Sequence, residues 1–123
     1  MSYPIQAPPD MWSITNQPAT ATQATITKAA APGQRHVATS ISAVISAVAA
    51  QPAIHVNLRD GATGAGTILW SQTVAVGAGG VAAIQLGGLN IPGTGGNAMT
   101  LETDAAPAAT NFASVSLTGY DTP

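Results

Sequence analysis

Apolar and polar residues alternate over short stretches of this chain, and glycine or proline interrupts the alternation before any stretch grows long. That pattern selects β-strands joined by turns. Ala24 and Ile26 fall opposite Gln23, Thr25 and Thr27, and Ile54, Val56 and Leu58 fall opposite His55, Asn57 and Arg59. Ile68, Trp70, Val74 and Val76 share a face that Gln72 interrupts, and Ala82, Ile84 and Leu86 align after it. Met99 and Leu101 oppose Thr100 and Glu102, while Val115 and Leu117 oppose Ser114, Ser116, Thr118 and Tyr120. Ala31-Pro32-Gly33-Gln34, the loop over residues 60–66, Gly77-Ala78-Gly79-Gly80 and residues 90–97 supply the turns, and the short third turn predicts a hairpin into residues 81–86.

Residues 36–50 fit two periods. Ile41, Val44, Ile45 and Val48 have helical spacing, yet Val, Ile, Thr and Ser dominate the segment. These residues are middling or poor helix formers, and the β-branched ones suit a pleated surface, so the segment reads as a strand with Val37, Thr39, Ile41, Ala43, Ile45 and Ala47 on one side. Evenly spaced strands without intervening helices predict an all-β fold: an antiparallel two-sheet β-sandwich of jelly-roll type.

The chain of 123 residues is long enough to bury about two thirds of its unfolded surface in one core. Aromatic residues make up only 4%, which makes Trp12, Trp70, Phe112 and Tyr120 the natural anchors. Pro4, Pro8, Pro9 and Pro18 mark residues 1–18 as an extended N-terminal arm ahead of a single sandwich domain over residues 19–123. Within the arm, Trp12 and Ile14 share one side of a short alternating segment that suits docking on an apolar surface, its own core or a neighbour's.

Charge is scarce. Only 7% of residues are charged, and Lys28, Arg35 and Arg59 are the only cations. Three scattered cations and a net charge of −2 give no electrostatic basis for binding nucleic acid. No long apolar span indicates a membrane protein, and residues 1–9 lack the basic and apolar regions of a secretory signal, so synthesis in a cytoplasm is expected. The absence of cysteine removes disulfides and thiolate ligands.

Candidate chemistry is thin. His36 and His55, with Asp10, Asp60, Glu102, Asp104 and Asp121, are the titratable groups from which a catalytic set would be drawn. No Gly-x-Ser-x-Gly elbow accompanies them, and His36 reads as an edge or interface residue, His55 as facing solvent or a partner. Asp60-Gly61 is followed by Ala62, Gly64 and Gly66 where a calcium loop needs oxygen ligands. Glu102 and Asp104 share a face and read as a solvated pair near a sheet end. Residues 61–66 lack the Lys and Ser/Thr of a phosphate loop. No catalytic residue, metal site or cofactor is therefore assigned. Small side chains and few charges favour close, symmetric association instead, with a homo-oligomer, dimer or trimer, as the expected state.

Residues 36–43, 59–70 and 111–120 are similar to segments of small structural proteins of tailed bacteriophages. The chain resembles, in particular, the capsid decoration (cement) proteins with a jelly-roll-like fold. The resemblance covers most of residues 36–120 and leaves the arm unmatched. It implies a virion protein on the capsid exterior that bridges neighbouring copies of the major capsid protein; contact with nucleic acid or membrane is not part of that implication. Tyr3, Ile5, Trp12 and Ile14 are the expected partner contacts, chosen for the arm's prolines and isolated aromatics. The competing reading is a carbohydrate- or receptor-binding module of a phage tail or a secreted protein, for which exposed aromatic platforms are few.

Overall fold

A computed structural model describes residues 11–123. Those residues form nine strands and no helix: β1 (Met11–Asn16), β2 (Thr25–Lys28), β3 (Arg35–Ser46), β4 (Gln51–Asp60), β5 (Thr67–Val76), β6 (Val81–Leu86), β7 (Ile91–Pro92), β8 (Met99–Thr103) and β9 (Phe112–Thr122). A five-stranded sheet in the order β1-β9-β3-β6, with β7 also on β3, packs on a four-stranded sheet in the order β2-β8-β4-β5. Every pairing is antiparallel. The molecule is a two-sheet β-sandwich, as the alternation predicts.

Alternation fills the space between the sheets. Ile41, Ile45, Val115 and Leu117 from one sheet meet Val56, Leu58, Met99 and Leu101 from the other, all at most 2% exposed. Each such side chain contributes roughly 1.5–3 kcal/mol on burial. Trp12, Ile14 and Trp70 pack on the margin of this core. Phe112 does not: it is 44% exposed.

Residues 36–50 follow the strand reading as far as Ser46. The single inward face predicted there breaks between Ala38 and Ser40, where β3 carries a bulge opposite β9. One inserted residue switches the phase of the pleat. Ala38 therefore lies in the core before the bulge, and Ile41, Ala43 and Ile45 lie there after it.

The predicted hairpin at residues 77–80 is corrected. β5 belongs to the four-stranded sheet and β6 to the five-stranded one, so this turn carries the chain across the sandwich. Its glycines are still needed, because Gly79 has φ 75°. The backbone of Ala47, just past β3, donates to Gly80 at 2.9 Å and accepts from Gly79 at 2.8 Å. Turn chemistry is local, and it does not specify which sheet receives the next strand.

Candidate functional site

The outward face of the five-stranded sheet is built from rows of side chains that the register sets side by side. Ser13, Thr118 and Ser40 form one row, and Thr15, Ser116, Ser42 and Gln85 the next. Ser114, Val44 and Ala83 follow, and then Phe112, Ser46 and Val81. Across these four rows no side chain carries a formal charge. Hydroxyls occupy the middle, and exposed Phe112 and Val81 close one end.

Part of the hydrogen-bonding capacity on this face is spent within the sheet. Ser13 and Thr118 share a hydrogen bond of 3.1 Å, and Thr15 and Ser116 one of 2.9 Å. Two open recesses indent the face. One of about 260 Å³ is lined by Gln17, Val44, Ser46, Phe112 and Ser114, the other of about 240 Å³ by residues including Ser40, Ser42 and Gln85. Both fall short of the roughly 300–1,000 Å³ of a small-molecule pocket.

The ionised groups lie elsewhere. Residues 61–66 fold over the outward face of the four-stranded sheet, where Gly64 N–H donates to Glu102 at 2.9 Å and Thr100 Oγ1 donates to the Gly61 carbonyl at 2.8 Å. Arg59 Nε donates to the same Glu102 carboxylate at 3.0 Å, which leaves Glu102 only 2% exposed. The solvated Glu102–Asp104 pair is thus corrected. The loop supplies partners that let Glu102 be buried, whereas exposed Asp104 accepts the His55 backbone N–H at 2.9 Å. Asp60 accepts from the Thr94 backbone at 3.0 Å and from the Thr94 hydroxyl, and these bonds outweigh its burial and hold its carboxyl below the ordinary value.

His36 is also corrected, from edge residue to buried clasp at 1% exposure. Its Nδ1 meets Asp121 and its Nε2 meets the Ala29 carbonyl at 2.8 Å. Both ring nitrogens are thus engaged by oxygen atoms of the same chain. Trp12 Nε1 donates to Asp121 at 2.8 Å, the Trp12 ring meets His36 edge-on at 5.9 Å, and Lys28 Nζ lies 5.7 Å from the Trp12 ring. Burial alone would raise the Asp121 carboxyl, but hydrogen bonds from His36 and Trp12 and the charges of His36 and Lys28 lower it on balance. With both ring nitrogens spent, His36 has none left to serve as a base. The other histidine, His55, is exposed, with Nδ1 2.8 Å from Thr73 Oγ1. Among the described residues no group of three or more His, Asp or Glu is arranged to hold a metal ion.

Of the expected partner contacts, Tyr3 and Ile5 lie outside the described residues. Trp12 and Ile14 sit on β1, paired with Gly119 and Leu117 of the same chain, and their inward sides pack on the chain's own core. The Met11–Asn16 part of the arm is thus an edge strand of the sandwich. The uncharged face itself was not singled out from sequence. Its signal was present in the Ser114, Ser116, Thr118 alternation, but showing that β1, β3 and β6 extend the same surface required the register.

No family model matches the chain, and no curated protein matches it. Among solved structures, it aligns with a chain from a study of Bacillus endospore appendages, described there as a novel family of disulfide-linked pili. Identity is 15% and the TM-score 0.35, with 96% of each chain covered. A superposition this loose carries no functional weight.

Proposed function

We propose that this protein is a non-catalytic structural subunit that docks through the outward face of its five-stranded sheet. In this reading it serves as a decoration (cement) protein on the exterior of a bacteriophage-type capsid, bridging major capsid subunits. The observation that carries the docking surface is the four-row face without a formal charge. Burying an ion costs several kcal/mol and burying an unpaired hydroxyl roughly 1–3 kcal/mol. Here the ions are absent and part of the hydroxyl set is already paired, so a partner can cover the face at low desolvation cost.

Two further features support the capsid reading. The order β1-β9-β3-β6 facing β2-β8-β4-β5 supports reading the sandwich as a jelly roll, the architecture the resemblance implies. Residues 1–10 precede β1 in the sequence and include Tyr3 and Ile5, the apolar side chains expected to contact a partner.

Co-sedimentation with capsid shells tests the proposal. Val44→Glu places a carboxylate in the centre of the face and is expected to abolish occupancy while leaving the melting temperature within a few degrees. Truncation of residues 1–10 spares β1 and is expected to weaken occupancy. Full occupancy by Val44→Glu, or binding to glycans in place of shells, would reject the reading.

A further inference from the structure

The two lateral sides of the sandwich differ in how their strand edges are protected. On one side, β2 has only four residues and ends in Lys28, and β1 runs into Pro18 two residues beyond its end. On the other side stands β5, ten residues long, with the sequence TILWSQTVAV. It pairs with β4 on one flank and, among the described residues, with nothing on the other. It holds no charge, proline or glycine, and residues 61–101 around it hold no Asp, Glu, Lys, Arg or His. Exposed edges are ordinarily blunted by such residues, because their free N–H and C=O groups pair with any strand that fits.

We propose that β5 pairs with β5 of a second copy, antiparallel across a two-fold axis through Gln72, joining two four-stranded sheets into one of eight. The occupant follows from the strand's complementarity to itself. A continuous sheet requires directly opposed residues to share a face, so paired positions must have the same parity. The most central registers of that kind place either Ser71 or Gln72 opposite itself. Centring on Gln72 sets Trp70 against Val74 and Ser71 against Thr73, matching apolar with apolar and hydroxyl with hydroxyl. Centring on Ser71 sets Trp70 against Gln72 and Leu69 against Thr73. The first register is the complementary one.

The pairing is centred on the regular part of β5. Gln72 is exposed although it lies on the face that carries Trp70 and Val74, so the second copy meets a polar side chain there instead of disturbing the core. β5 itself carries a bulge at Leu69, because Leu58 pairs with Trp70 and the next residue, Arg59, with Ile68; residues 70–74 lie beyond it in regular register with β4 and form the stretch open to a second copy. An isologous contact of this kind closes on itself, which gives a dimer and not a fibre.

The geometry provides a selective test. Directly opposed Cα atoms lie about 4.5–5.5 Å apart, within disulfide reach, and the chain has no other thiol. Gln72→Cys is expected to cross-link quantitatively under mild oxidant. Thr67→Cys is not, because five residues from the axis the two copies are separated by about 33 Å at about 3.3 Å per residue. Light scattering of the full chain is expected to read twice 12.1 kDa, and Gln72→Lys, which opposes two cations across the axis, is expected to read 12.1 kDa with an unchanged melting temperature. A monomeric wild type, a dimeric Gln72→Lys, or cross-linking through Thr67→Cys would each overturn the proposal. So would a dimer lost on removing residues 1–10 while Gln72→Cys fails to cross-link, since the arm would then carry the contact. None of these outcomes depends on capsid binding.

Discussion

Asn111 is the side chain whose loss should cost the sandwich most for its size. It is fully buried and uses its whole amide: Oδ1 accepts from Val48 N–H at 2.9 Å and Ala49 N–H at 3.1 Å, and Nδ2 donates to the Ala49 carbonyl and to Gln51 Oε1, both at 3.0 Å. These four bonds tie the start of β9 to the corner between β3 and β4. Asn111→Ala leaves two donors and two acceptors without this partner, each worth about 1–3 kcal/mol if no water replaces it. Val48 and Ala49 are exposed and Gln51 Oε1 keeps the Ala108 N–H, so water and neighbours recover part of the loss. The expected cost is roughly 3–5 kcal/mol, a large share of the roughly 5–15 kcal/mol that holds a domain together. In urea titration this moves the midpoint down by roughly 2 M at an unchanged slope of about 1–3 kcal/mol/M. Asn111→Asp sharpens the test, because its second oxygen faces two acceptors. The folded state then disfavours the charged form and raises that carboxyl, so the deficit relative to wild type is small below about pH 4 and grows as pH rises. A loss below about 1 kcal/mol for Asn111→Ala, or a deficit of Asn111→Asp that does not change with pH, would refute this account of the corner.

Two further outcomes are expected. Gly119→Ala puts a methyl 2.6 Å from Trp12 Cζ2 and against the Val37 carbonyl, so it should cost about 1–3 kcal/mol and red-shift tryptophan emission as the ring is displaced. Asp121 has a carboxyl lowered from 3.8, so its stabilisation is complete above that value and is lost as pH falls through the folded-state value. Asp121→Asn should therefore lower the melting temperature at neutral pH and flatten its decline in acid, and an unchanged acid limb would show that the clasp contributes nothing.

Strand identity was legible in the sequence because alternation is a local signal, and so was the resolution of residues 36–50 in favour of β-branched propensity. The size of Phe112 predicts burial, yet it is exposed. Its parity with Ser114 and Ser116 already placed it outward, and the pleat prevailed over hydrophobicity. The clasp of His36 and Asp121 and the burial of Glu102 were not legible, because each rests on partners far apart in the chain. Glu102 shows the physical reason clearly. Alternation assigned Thr100 and Glu102 to the face opposite Met99 and Leu101, which is correct, yet that face is buried as well because residues 61–66 fold over it. Periodicity gives the side of a sheet but not what covers that side.

The placement of the few charges ties the two proposed contacts together. In the described residues, ionised groups are confined to the four-stranded sheet, the loops and the sheet ends, which leaves one sheet face and one strand edge free of the cost of desolvating an ion. These lie in perpendicular directions: the face looks along the normal of the stacked sheets, and the β5 edge lies in their plane. A two-fold axis through Gln72 and perpendicular to the sheets would turn neither face away, so both subunits of the proposed dimer would present their uncharged faces on the same side. Such a dimer meets a shell with two coplanar patches. The second patch then binds at the high effective concentration set by the first, and contacts that are individually weak become collectively tight. Occupancy on shells should therefore fall far more steeply for Gln72→Lys than the loss of one patch accounts for, although Gln72 lies outside the docking face. Equal occupancy by the dimer and by folded Gln72→Lys would show that the two surfaces act independently.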